Sequence, residues 1–271
     1  MNGYNNEYNF VLEFNNKKIK ELNPILQDLI YSIFSNIKEN DLIKSWRNHY
    51  DQKTDIFLKI GNAIKGISIK FGSRNSVHVE SIWEFEKFLL KHNIPRSIIC
   101  KYLDFHYADG TINNSGIKRL TTEEYKKINQ NKIDKINEYF NTPEIIFDAI
   151  ERFVLKGNNS EYPINAIILG DPNNFIWLTK NDIIEILNSN INKHCSSPHF
   201  SELVCQPMNR CINHNIKYEK YRRYVQIKWY SLFDNIIEQM NNNAMKKSGY
   251  ILGSNLQADS WDNKKRAIHN E

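Results

Sequence analysis

The alternation of apolar and polar side chains over residues 55–71, DIFLKI-GN-AIKGISIKF, predicts a β-hairpin. Gly61-Asn62 falls where a two-residue turn needs a positive φ. With Ile60 facing Ala63, Asp55 faces Ser68, and Lys70 is its diagonal neighbour on the same side. One face then collects Ile56, Leu58, Ile60, Ile67, Ile69 and Phe71. The other collects Asp55, Lys59, Ser68 and Lys70, together with Phe57 and Ile64.

Other patterns surround the hairpin. YNFVLEF at 8–14 predicts a strand. Pro24, followed by Leu26, Leu29, Ile30, Ile33, Phe34 and Ile37, predicts an amphipathic helix over about 24–38. Residues 78–92 carry Ile82, Phe85 and Leu89 at helical spacing, and Pro95 opens a helix that runs to about Tyr107. ADGTINNSG at 108–116 is a turn-rich loop. Helices are expected at 122–140 and from Pro143 to about Lys156, strands at 163–171 and 174–180, and helices at about 181–190 and 229–240. No repeat or clear linker interrupts the chain. The pattern predicts an α/β fold in which a mixed central sheet contains the hairpin and is flanked by helices.

Composition adds limits. The chain has 271 residues, 41% of them hydrophobic, which is enough for a real core. Lys and Arg exceed Asp and Glu by 36 − 31 = 5, a mild basic excess that permits a polyanionic partner without requiring one. No apolar run has the length of a membrane span, and the N-terminus has no basic region followed by an apolar stretch. A cytoplasmic protein without membrane contact is expected. Four cysteines are too few for a disulfide scaffold at this length.

The hairpin's polar face carries the candidate chemistry. A carboxylate, a hydroxyl and an amine side by side suit phosphodiester cleavage. Asp55 can hold Mg²⁺, helped by the Ile69 carbonyl, and Lys70 can orient a water or meet developing negative charge. One carboxylate is a thin metal site. Glu80, expected in the first turn of the following helix, is the second carboxylate that can swing back toward Ser68. Taken singly, Asp55 reads as a solvated strand-initial residue, Lys70 as an edge-strand charge, Glu80 as a helix N-terminal charge and His78 as a structural histidine. The shared face favours chemistry.

With a helix before it and one after, Asp55 and Ser68-Ile69-Lys70 resemble the core of the PD-(D/E)XK nuclease superfamily over roughly residues 24–92. Thr54 stands in place of the Pro, and Ser68 in place of the Asp or Glu. Some restriction enzymes of that superfamily have the same gap, with a Glu further along supplying the carboxylate. The resemblance implies a restriction-endonuclease-like fold and a Mg²⁺-dependent endonuclease of double-stranded DNA. A type II restriction enzyme acting as a homodimer, beside a separate methyltransferase, is the implied role. It implies one nuclease domain over 1–240, with a DNA-contacting part at about 195–240 and a polar tail over 241–271. The alternatives are a repair or defence nuclease of the same superfamily, a DNA-binding module without catalysis, and an interaction protein with no affinity for DNA.

Two downstream clusters remain. Between residues 210 and 228 six cations stand against one acid, interleaved with Tyr218, Tyr221 and Tyr224, and Trp229 follows. Arg210, Arg222, Arg223 and Lys228 suit phosphate contacts, and Asn209 and Gln226 are side chains able to read adenine. The same stretch also reads as a solvated face with structural tyrosines. His194, Cys195, His199, Cys205, Cys211 and His214 lie close together, but their wide spacing and the lack of a C-x₂-C pair argue against zinc.

Overall fold

In the computed structural model, residues 3–50, 53–72, 75–157, 161–191, 195–208 and 220–246 are described. Asn209, Arg210, His194, Cys211, His214 and most of the polar tail lie outside them.

The hairpin forms with the expected register. Strand β1 (Ile43–Arg47) pairs with β2 (Ile56–Ile60), and β2 pairs with β3 (Ala63–Lys70). Ile60 meets Ala63 across a turn in which Gly61 has a φ of +56°. Strand β4 (Ser76–Ser81) follows and leaves for a second sheet. Strand β5 (Ile164–Asp171) lies parallel to β3, and β6 (Asn174–Thr179) turns back against β5. The result is a mixed five-stranded sheet in the order β1-β2-β3-β5-β6.

Both faces of this sheet are buried, as expected of a central sheet. Ile56, Leu58, Ile60, Ile67, Ile69, Ala166 and Ile168 pack against helices α1 (Gly3–Phe14) and α2 (Pro24–Ile33). Ile164, Ile167, Leu169 and Leu178 point into a larger core. That core is shared with α3 (Ile82–Lys91), α4 (Arg96–Tyr107), α5 (Thr122–Phe140), α6 (Pro143–Ala149) and the π-helical turn that continues α6 (Ile150–Lys156). The same core receives α7 (Lys180–Ser189) and α8 (Leu232–Lys246).

The second sheet is antiparallel, in the order β4-β9-β8-β7. Its remaining strands are β7 (His199–Phe200), β8 (Leu203–Pro207) and β9 (Tyr224–Trp229). Val225, Ile227 and Trp229 alternate into the core, while Tyr224, Gln226 and Lys228 take the opposite face.

Three expectations are corrected. The segment 8–14 belongs to helix α1, because its buried positions repeat every fourth residue: Asn6, Phe10 and Phe14. Tyr8 and Leu12, which an alternating strand would bury, are more than half exposed. The 24–38 helix ends at Ile33, where Phe34 becomes extended and Asn36 adopts a left-handed φ of 57°. Residues 78–92 divide at Ser81. Its hydroxyl caps α3 by accepting from the Glu84 N–H at 3.2 Å, and the residues before it pair with β9. Among the described residues, no helix is long and apolar enough to cross a membrane.

Candidate active site

Beyond the Ile56–Ile67 pair the β2–β3 ladder stops, and Asp55 takes over the edge of β3. Its Oδ2 accepts from the Ile69 N–H at 2.5 Å and from the Ser68 hydroxyl at 3.0 Å. Ser68 therefore serves as a donor that orients Asp55. In an extended strand one residue's N–H and C=O point to the same side, so the Ile69 carbonyl shares the edge that faces Asp55. The lead-in is fixed too. Asn48 binds the backbone on both sides of Asp55, donating to the Thr54 and Asp55 carbonyls, and the Thr54 hydroxyl donates to the Tyr162 carbonyl at 3.0 Å.

Asp55, Ile69 and Lys70 lie on a cleft of about 530 Å³ that is also lined by Glu7, Phe71, Asn75, Ser76, Gln226 and Lys228. The first sheet forms one side, α1 another, and the outward face of the second sheet a third. Glu7 is the carboxylate missed in the sequence. It reaches the cleft from α1 and accepts from the Arg47 Nε and Nη2 at 3.0 Å each. Burial raises the Glu7 carboxyl above its ordinary pKa, and the negative charge of Asp55 adds to this; Arg47 and Lys70 pull it the other way. Two carboxylates and an amine thus line one cleft.

No protein-family model matches the chain, and no curated protein is significantly similar to it. The chemistry must be judged from the geometry. Glu7, Asp55 and the Ile69 carbonyl are hard oxygen donors of the kind that hold Mg²⁺. Burial is the main cause of the raised Glu7 pKa; the smaller repulsion from Asp55 is one a cation between the two carboxylates would relieve.

Glu80 is placed differently from the expectation. It sits in β4 with a fully buried side chain, not in the first turn of α3, and it does not line the cleft. Its Oε2 accepts from the Arg152 Nη2 at 2.7 Å and Nε at 3.2 Å, and it lies 3.3 Å from the His78 Nε2. Burial pushes His78 below its ordinary pKa despite this contact. Lys53 feels both Glu80 and Asp55. Its enclosed ammonium donates to the Val77 carbonyl, and burial, with the charge of Lys70, holds its pKa well down.

The predicted nucleic-acid contacts separate. Gln226 and Lys228 line the cleft, and Arg223 is exposed. Arg222 is buried in the 3₁₀ turn Lys220–Arg223, where its carbonyl meets the His106 Nε2 at 2.9 Å, so it is not a surface phosphate contact. Asn209 and Arg210 lie outside the described residues. In the Cys/His cluster, Cys205 is buried in the core with its thiol pushed well up, and the His199 Nδ1 meets the Ser201 carbonyl at 2.8 Å. Among the described residues no group of three or more His, Cys, Asp or Glu side chains gathers as a metal site.

The missed carboxylate had one sequence signal. Glu7 directly follows the first position of the every-fourth-residue stripe Asn6, Phe10 and Phe14. Read as a helix, that stripe sets Glu7 next to the buried face rather than opposite it.

Proposed function

We propose that this protein is a Mg²⁺-dependent endonuclease that hydrolyses DNA phosphodiester bonds, with a type II restriction endonuclease as its biological role. The observation that carries the proposal is the convergence of Glu7, Asp55 and Lys70 on one cleft, with Asp55 oriented by Ser68 and the Ile69 N–H. Asp55, Glu7 and the Ile69 carbonyl would hold the metal. Bound there, Mg²⁺ supplies positive charge beside the phosphate and makes a nearby water more acidic. Arg47 fixes the Glu7 carboxylate, and Ser68 keeps Asp55 from rotating away. Lys70 lies next to Asp55 on the cleft, where its ammonium can orient the attacking water and counter negative charge growing on the phosphate oxygens. Lys228, on the opposite wall, can take a neighbouring phosphate. A homodimer would supply two sites for two strands, and a separate methyltransferase would protect host DNA.

The test is plasmid cleavage with and without Mg²⁺. Asp55→Ala, Lys70→Ala and Glu7→Gln should each slow cutting by about 10²-fold or more. Glu80→Gln should retain cutting wherever it is folded. Cutting that survives Asp55→Ala or Lys70→Ala would overturn the assignment. Discrete fragments mark a sequence-specific enzyme; a smear marks a nuclease of another role.

A further inference from the structure

The cleft wall opposite Asp55 carries a row of carboxamides on the outward face of the second sheet. Gln206 on β8 lies directly across from Gln226 on β9. The Gln206 Nε2 donates to the Gln226 Oε1 at 3.4 Å, and the Gln226 Nε2 donates to the Ser76 hydroxyl on β4 at 3.2 Å. At the other end the Tyr230 hydroxyl donates to the Gln206 Oε1 at 3.0 Å. The Lys228 ammonium stands 5.5 Å from the Tyr230 ring centre. The row crosses three strands, and Ser76, Gln226 and Lys228 belong to the cleft itself.

A glutamine amide has two N–H donors and an oxygen with two lone pairs. Together these bonds use one donor and one lone pair of each glutamine. One donor and one acceptor remain on each amide, and both amides are held by neighbours. That spare pair matches the N7 acceptor and N6 amino donor that adenine shows in the major groove. A side chain already pinned loses less freedom on binding than a free one. Strands can enter the wide major groove of B-form DNA, whereas the deep, narrow major groove of A-form RNA excludes them.

We infer that Gln226 and Gln206 form the base-reading element of this cleft, contacting adenine of A·T pairs in double-stranded DNA. Lys228 holds the adjacent backbone. The inference rests on the proposal that the cleft binds DNA.

The experiment reads binding without cutting. The full-length protein, in chelator, selects duplexes from a random-sequence DNA pool, and the bound fraction is sequenced. The wild type should enrich a motif with A·T at one or two fixed positions. Gln226→Leu should reduce the preference at one of them by about 5- to 150-fold while the other positions hold. Gln226→Glu removes the donor and leaves an acceptor, so the preferred base there should change from adenine to cytosine, whose N4 donates. A role confined to bracing the sheet would not exchange one base for another. No enriched motif in the wild type, the same motif in both variants, or an equal loss over all sequences would overturn the inference. The two proposals separate cleanly. Plasmid cutting without a motif leaves the nuclease standing and removes base reading. A motif that moves with Gln226 in a protein that cuts nothing does the reverse.

Discussion

Replacing Arg152 with alanine removes the guanidinium that holds Glu80, and its consequences separate a structural carboxylate from a catalytic one. The Glu80 side chain has no exposure, and the Arg152 side chain is 24% exposed. The two bonds, at 2.7 and 3.2 Å, are charge-assisted. Breaking a buried ion pair from one side costs about 3–5 kcal/mol, because the remaining charge stays desolvated. His78 at 3.3 Å still contacts Glu80, so about 3 kcal/mol, the lower end, is expected. For a chain of this size that lowers Tm by about 6–12 °C. Glu80→Gln keeps a hydrogen-bonding side chain of the same shape and leaves Arg152 partly solvated, with Glu84 at 3.9 Å. About 1–2 kcal/mol is expected there. Urea unfolding gives both values, and plasmid cutting is measured alongside at a temperature where each variant is folded. Arg152 also lowers the His78 pKa. In Arg152→Ala that imidazole protonates more readily and offsets Glu80, so the deficit should shrink as pH falls. The reasoning fails if Arg152→Ala costs under about 1 kcal/mol. It fails equally if Glu80→Gln abolishes cutting while matching the wild type in stability, which would return Glu80 to the catalytic centre.

Three smaller predictions test other parts of the site. Gly66→Ala would place a methyl 2.5 Å from the Thr54 hydroxyl oxygen and 3.0 Å from the Pro163 carbonyl oxygen. It should destabilise by about 1–3 kcal/mol in urea unfolding and reduce cutting by disturbing the lead-in to Asp55; a neutral result would mean that Thr54 turns away freely. Ser68→Ala removes one of the two donors on Asp55 and should slow cutting about tenfold, from the roughly 1.5 kcal/mol of a hydrogen bond to a charged group; an unchanged rate would leave the Ile69 N–H as sufficient. His78 has a pKa held below its ordinary 6.5 by burial, so the stability of its neutral form is present above that value and is lost as pH falls through it. Between about pH 7.5 and 5.5 the urea midpoint of His78→Gln should fall less than that of the wild type, and parallel curves would remove His78 as the cause.

The hairpin was legible because everything that defines it is local. Ile56, Leu58 and Ile60 alternate with Phe57 and Lys59, Gly61 supplies the turn, and the register follows by counting. The second sheet was not legible, because its pairings are distant. Residues 76–81 become a strand only when Tyr224–Trp229 lie beside them, and strand preference depends strongly on such context. Without that partner, Ile82, Phe85 and Leu89 extend a helical pattern backward over Glu80. The expected second carboxylate was displaced by that error of one element. Glu7, which shares the cleft with Asp55, was hidden by another, since α1 and a strand both place apolar residues in YNFVLEF, and only the burial of Asn6 with Phe10 and Phe14 separates them.

The two errors are connected by electrostatics. Position 68 is 3% exposed and directly against Asp55. An acid at 68 would set a second negative charge directly against Asp55 at a buried position, where like charges disfavour ionisation. A serine there adds none, and it donates to the carboxylate it faces. Glu7 enters the cleft from a helix instead, and its charge is paired with Arg47 on β1. Under the proposed function, Glu7 and Asp55 would be the two carboxylates for a cation, and Ser68 would aim Asp55. On that proposal the serine at 68 is compatible with metal binding through Glu7, and Glu80, held by Arg152, has no part in it.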